Sequence, residues 1–155
     1  MRILTIKQPW AHAIIFGGKD VENRTWSTAY RGPVAIHAGM SYDEAGRDVV
    51  VEAPPATLID RGVIIGVTHL VDVVRDSPSA WAEQGEDVFH WVLANPMPLR
   101  VPIAFKGALG LTRITPEMET SIWSAVPQPP AGPETPTDDP IPTRDVFNPR
   151  DPGDT

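Results

Sequence analysis

The sequence predicts an α+β fold in which a small, barrel-like sheet is interleaved with short helices and followed by a tail. Three observations lead there. About six β-branched runs are spread along residues 1–126. The helical patterns between them are too short for the crossovers of a doubly wound sheet. Beyond Val126 the composition changes: nine of the eighteen prolines fall in residues 127–155, with aspartates and threonines and few apolar residues. The expected organisation is one domain over 1–126 and a disordered Pro/Asp-rich tail over 127–155, because such a composition buries too little surface to offset ordering entropy. Phe147 and Val146 are the tail's candidate contacts, with the domain itself or with a protein partner.

In order along the chain, Arg2 to Ile6 reads as a strand. Pro9 suits a helix start, and Trp10, Ala13, Ile14 and Gly17 follow at helical spacing until Gly17-Gly18 ends the helix. Val21 to Trp26 and Pro33 to Ala38 read as strands flanking a turn at Tyr30-Arg31-Gly32. Ser41 with Glu44 is a capping-box signature opening a helix that Pro54-Pro55 stops. Val63 to Val74 is a long strand or a bent strand pair, and Ser77-Pro78 opens a short helix to Gln84. Val88 to Leu93, Val101 to Phe105 and Ala108 to Thr112 complete the strands.

Composition excludes several function classes. With no cysteine there is no disulfide, thiolate nucleophile or thiolate metal site, and the four histidines lack ligand spacing, so neither metal nor cofactor is expected. No apolar run approaches a membrane span, and no secretory pattern is visible, so the expectation is a cytoplasmic protein without a membrane partner. The net charge of −7 argues against a broad polyanion-binding face. Its distribution is uneven: residues 1–39 carry +3, 40–126 carry −6 and 127–155 carry −4. A local anion site in the first quarter is compatible with this pattern.

Chemistry-bearing residues crowd between Lys7 and His37. In a strand, Glu22, Arg24 and Trp26 share one face, with Lys19 at the preceding turn. A carboxylate, a guanidinium and an indole side by side can hydrogen-bond a planar polar ligand and stack on it. The same pattern also describes a surface ion pair beside a core tryptophan. His37 alternates away from Val34 and Ile36, which makes it a candidate for a cleft.

The order Lys7-Gln8-Pro9-Trp10-Ala11, then Gly18-Lys19-x-x-Glu22-x-Arg24-x-Trp26, then Tyr30-Arg31-Gly32 and Ile36-His37-Ala38 resembles the activating-signal-cointegrator homology (ASCH) domain. The likeness covers about residues 2–115. It implies a PUA-like β-barrel with a cleft near the first helix and following strand, and recognition of RNA, DNA or a nucleotide. Gln8, Trp10, Lys19, Glu22, Arg24, Trp26, Arg31 and His37 are then the ligand-binding candidates. One bacterial branch of that family deacetylates an acetylated cytidine with a lysine, a threonine three residues later and a distant glutamate. Lys19 matches the lysine, Glu22 stands at the threonine's place, and Glu83 and Glu86 are candidates for the distant glutamate. A hydrolase of a modified nucleoside amide, or a ribonuclease, is therefore the alternative to a binding module, with Lys19 and Glu22 as its catalytic pair. Thr25, Ser27 or Thr28, or a water activated by a carboxylate, would replace the missing hydroxyl.

Overall fold

The computed structural model describes residues 1–128. The expected tail lies outside the described residues from position 129 onward. The elements are β1 (Arg2–Gln8), α1 (Trp10–Phe16), β2 (Val21–Arg24), β3 (Gly32–Tyr42), a 3-10 turn (Glu44–Gly46), β4 (Val63–Val74), β5 (Phe89–Ala104), β6 (Leu111–Arg113) and α2 (Pro116–Ala125). They build the expected α+β architecture around one six-stranded sheet of order β2-β5-β4-β3-β1-β6. Only the β1–β3 pair is parallel.

The sheet is buried on both sides at its centre. On one face Leu4, Ile6, Val34, Ile36 and Ala38 meet Ala11, Ile14 and Ile15 of α1, with Trp91 and Leu93 of β5. On the other, Ile3, Ala35, Ile64 and Val67 meet Ile122 of α2. This two-sided burial is why β1, β3 and β4 read as nearly continuous apolar runs instead of alternating ones.

The sheet does not close into a barrel. Laid flat, β2 and β1 would stand four strand spacings, about 19 Å, apart. Instead the Arg24 Nη2 donates to the carbonyl of Thr5 at 3.2 Å, so the sheet curls until these strands face each other. β6 pairs only with Arg2 to Leu4, leaving the outer edge of β1 uncovered from Thr5 onward. One side chain thus spans a seam where a closed barrel would have a ladder.

Several elements differ from the sequence expectation. β2 ends at Arg24, short of Trp26. The helix expected from Ser41 to Pro54 reduces to the Glu44–Gly46 turn and further turns, because that segment has almost no face to bury: Gly46 and Val50 are buried while Val49 and Val51 are exposed. The helix expected from Ser77 to Gln84 does not form; its backbone is bound to framework side chains instead. Val88 to Leu93 and Val101 to Phe105 belong to one strand, β5, which contains Pro96, Pro98 and Pro102. β2 and the Asp20 carbonyl before it cover only Phe89 to Leu93, so among the described residues the rest of β5 has a free edge on which a proline's missing N–H costs no ladder bond. α2 was not expected, although Thr115 caps it by accepting from the Met118 N–H and Pro116 follows the cap.

Candidate functional site

The turn after α1 delivers the first charge. Gly18 adopts φ +75°, a conformation glycine takes without strain, and the Lys19 N–H closes onto the Ala13 carbonyl at 3.0 Å. The Lys19 side chain then folds inward. Its Nζ donates to the Val21 carbonyl and, at 2.9 Å, to Glu22 Oε2. Lys19 is 5% exposed and Glu22 8%. An ammonium has three donors, so one N–H is left for a ligand. On the other side of Glu22, Arg24 Nε lies 3.2 Å from Oε1, in ion-pair contact but without an aligned hydrogen bond. Alternation along β2 therefore does place Glu22 and Arg24 on a common face, with Lys19 closing the row.

Trp10, the first residue of α1, stands over this row with its ring centroid 6.0 Å from Lys19 Nζ. Its Nε1 donates to Asp43 Oδ2 at 2.9 Å. That bond, together with the Ala45 N–H, holds the Asp43 carboxyl below its ordinary range. Gly46 permits the close fit, since a Cβ there would lie 2.7 Å from Pro9 Cγ.

Facing Trp10 is the segment 79–83, with the Trp81 ring edge-on at 6.5 Å. Asn23 clamps it, donating from Nδ2 to the Trp81 carbonyl (2.9 Å) and accepting the Glu83 N–H at Oδ1 (3.0 Å). Ser79 Oγ donates to Asp20 Oδ1 at 2.5 Å. Beneath, buried His90 accepts the Ser77 N–H at Nδ1 (3.1 Å), which fixes the Nε2–H tautomer, and donates from Nε2 to the Glu83 carbonyl (2.7 Å).

Between these walls lies a cavity of about 290 Å³ lined by Trp10, Lys19, Glu22, Trp81 and Glu83, near the lower end of the roughly 300–1,000 Å³ range of small-molecule sites. Trp10, Glu22 and Asn23 also line an adjoining groove of about 400 Å³ that runs along the seam, where Lys7 and Arg24 supply positive charge. Met40 and Leu109, the latter 98% exposed, form its apolar rim.

Of the residues singled out from the sequence, Trp10, Lys19, Glu22 and Arg24 come together here. The other four stand elsewhere. Gln8 is buried, with Nε2 donating to the Asp60 carbonyl (2.8 Å) and Oε1 accepting the His12 N–H (3.0 Å). His37 faces the interior between Thr5 Oγ1 (3.0 Å) and the Phe105 carbonyl (2.7 Å), not a cleft. Trp26, past the end of β2, packs edge-on against Trp91 at 4.7 Å. Arg31 is exposed and donates to the Thr28 and Tyr30 carbonyls, 3.5 Å from Asp72. Glu83 lies on the cavity wall, whereas Glu86 does not line it. Sequence reasoning passed over Asn23 and Trp81; the one available signal was a tryptophan between two alanines with no apolar period around it. Among the described residues no group of three His, Asp or Glu side chains is arranged to hold a metal ion. No helix there is long and apolar enough to cross a membrane.

Comparison with known proteins gives a consistent assignment. The family model of the ASCH domain matches residues 4–103. Among solved structures, the fold is similar to that of ASCH from Zymomonas mobilis, with a TM-score of 0.54 and 19% identity over 82% of this chain and 96% of that one. Two single-residue variants of that protein give the same TM-score, at 18% and 17% identity, each covering 81% of this chain. At such identity the likeness is one of fold. The curated proteins contain no match.

Proposed function

Because the chain belongs to the ASCH domain family, we propose that the cavity between Trp10 and Trp81 receives a planar base of RNA, DNA or a nucleotide. The observation that carries this reading is the Lys19–Glu22 pair set between two indole walls. The ammonium offers a donor and the carboxylate an acceptor beside it, matching a base edge that presents an acceptor next to an exocyclic amine, as in cytosine or adenine. The indoles supply flat apolar surface. With Lys19 neutralised by Glu22 and Glu83 nearby, the cavity itself repels phosphate, so the phosphate belongs in the groove beside Lys7 and Arg24. This local division accommodates a nucleic-acid ligand on a protein of net negative charge.

The test is titration of cytidine and adenosine monophosphates into the protein and its Glu22→Gln and Trp81→Leu variants, with melting temperatures measured in parallel. Each substitution is expected to weaken binding about tenfold, the loss of one charge-assisted hydrogen bond or one stacking surface. Unchanged affinity in both folded variants would remove the cavity as the site.

A second reading, hydrolysis of a modified nucleoside amide or of RNA, draws on the position of Glu83 across from the Lys19–Glu22 pair. Among the described residues the lining holds no hydroxyl or thiol, so such a reaction would use water with Glu22 or Glu83 as its base. Turnover of acetylated cytidine that disappears in Glu83→Gln would favour it over simple binding.

A further inference from the structure

A third concavity opens where the groove ends. It has a volume of about 620 Å³ and is lined by Arg2, Trp26, Thr28, Tyr30 and Leu111, and it shares Gly110 with the groove. The Arg2 guanidinium sits over the Tyr30 ring, 5.3 Å from its centroid. Tyr30 is fixed by donating its hydroxyl proton to the Pro33 carbonyl at 2.7 Å. Trp26 is anchored on Trp91, with its carbonyl accepting the Trp91 indole N–H at 3.1 Å. A guanidinium over one anchored aromatic ring, with a second anchored ring lining the same hollow, provides what a nucleotide binds on an open surface: a cation for phosphate and π-faces for a base.

We infer that Arg2, Trp26 and Tyr30 form a second nucleotide subsite, joined to the base cavity through the seam, so that the protein binds a single strand several nucleotides long. This rests on the base-cavity reading above. The three hollows are contiguous: the first two share Trp10, Glu22 and Asn23, and the last two share Gly110. Their cations, Lys7 and Arg24 in the groove and Arg2 at its end, come from the one segment with excess positive charge. Glu22 and Trp26 are four residues apart, at most about 14 Å of extended chain, which about four stacked nucleotides span at 3.4 Å each. A duplex does not fit the scheme, since its bases are already paired and stacked.

The experiment compares cytidine monophosphate with a fluorescein-labelled single-stranded RNA octamer on the full chain, its Arg2→Gln variant and its Trp26→Leu variant. Arg2→Gln is the primary probe because Trp26 also packs on the core. The octamer is expected to bind at least tenfold more tightly than the mononucleotide. Arg2→Gln is expected to weaken the octamer about three- to tenfold and leave the mononucleotide unchanged. Three phosphate contacts give a slope of log affinity on log salt near −2 for a single strand, and Arg2→Gln lowers its magnitude by about 0.7. Equal affinity for the two ligands, or an octamer indifferent to Arg2→Gln, overturns the second subsite and leaves the base cavity standing. If only the octamer binds, with the Arg2 dependence, the second subsite holds and the single-base reading fails. If neither ligand binds, both are overturned.

Discussion

Lys19 and Glu22 illustrate how a charged pair can be structural and available to a ligand at once. Removing the ammonium leaves a carboxylate that is 8% exposed with only the misaligned Arg24 contact. Lys19→Met is therefore expected to cost about 3 kcal/mol in urea unfolding, and the double variant Lys19→Met/Glu22→Gln to recover most of it. A small loss in Lys19→Met would show that Arg24 alone suffices for Glu22. His12 makes a second residue-scale prediction. Burial pushes its imidazole below the ordinary value of 6.5, with Asp60 partly opposing the shift. The folded state then binds fewer protons than the unfolded one, so His12 contributes stability above pH 6.5 that is lost as pH falls through its lowered folded value. Melting temperature should decline more steeply from pH 7 to pH 5 in the natural protein than in His12→Gln; parallel curves would dismiss the effect.

At the scale of elements, the fit of α1 against the sheet depends on one missing side chain. A Cβ on Gly66 of β4 would stand 2.7 Å from Ile15 Cδ1 and 2.8 Å from the Met97 carbonyl oxygen. The isoleucine tip can turn away, but the carbonyl belongs to β5 and cannot do so cheaply. Gly66→Ala is expected to destabilise by about 1–3 kcal/mol, read from the urea midpoint. Strands β1, β3 and β4 were legible from their β-branched runs, and α1 from its spacing and terminal glycines. The two expected helices fail for different reasons. Ser41 with Glu44, and Ser77-Pro78, are both local helix-start signals, but the first segment has almost no face to bury, and in the second Asn23 and His90 bind the backbone groups a helix would use. The reach of β5 through its prolines depended on the shortness of β2, a fact about a neighbour that local sequence does not contain.

At the scale of the whole molecule, both core clusters draw on the chain up to Val126, the last buried apolar residue among the described ones. Truncation after residue 128 is thus expected to leave the melting temperature within about 2 °C, less than the shift that roughly 1 kcal/mol brings in a chain of this size. A larger fall would show that residues 129–155 contribute to the fold. The half of the candidate site on β2 and the preceding turn could be anticipated, because period-two alternation and the family pattern meet there. Its other wall could not. Asn23 and Trp81 are 58 residues apart and are joined by a side-chain-to-backbone bond that imposes no pattern on either sequence.

That kind of bond has a consequence for redesign. Asn23 and His90 grip the cavity wall by its main chain, at the Ser77 and Glu83 amides and the Trp81 and Glu83 carbonyls, so the wall's shape is set independently of the side chains it displays. Ala80, Ala82 and Glu83 are thereby exchangeable parts on a fixed mount. Randomising those three positions should yield a collection in which most members fold and the preferred ligand changes, whereas randomising Asn23 or His90 should yield mostly proteins whose wall has come loose.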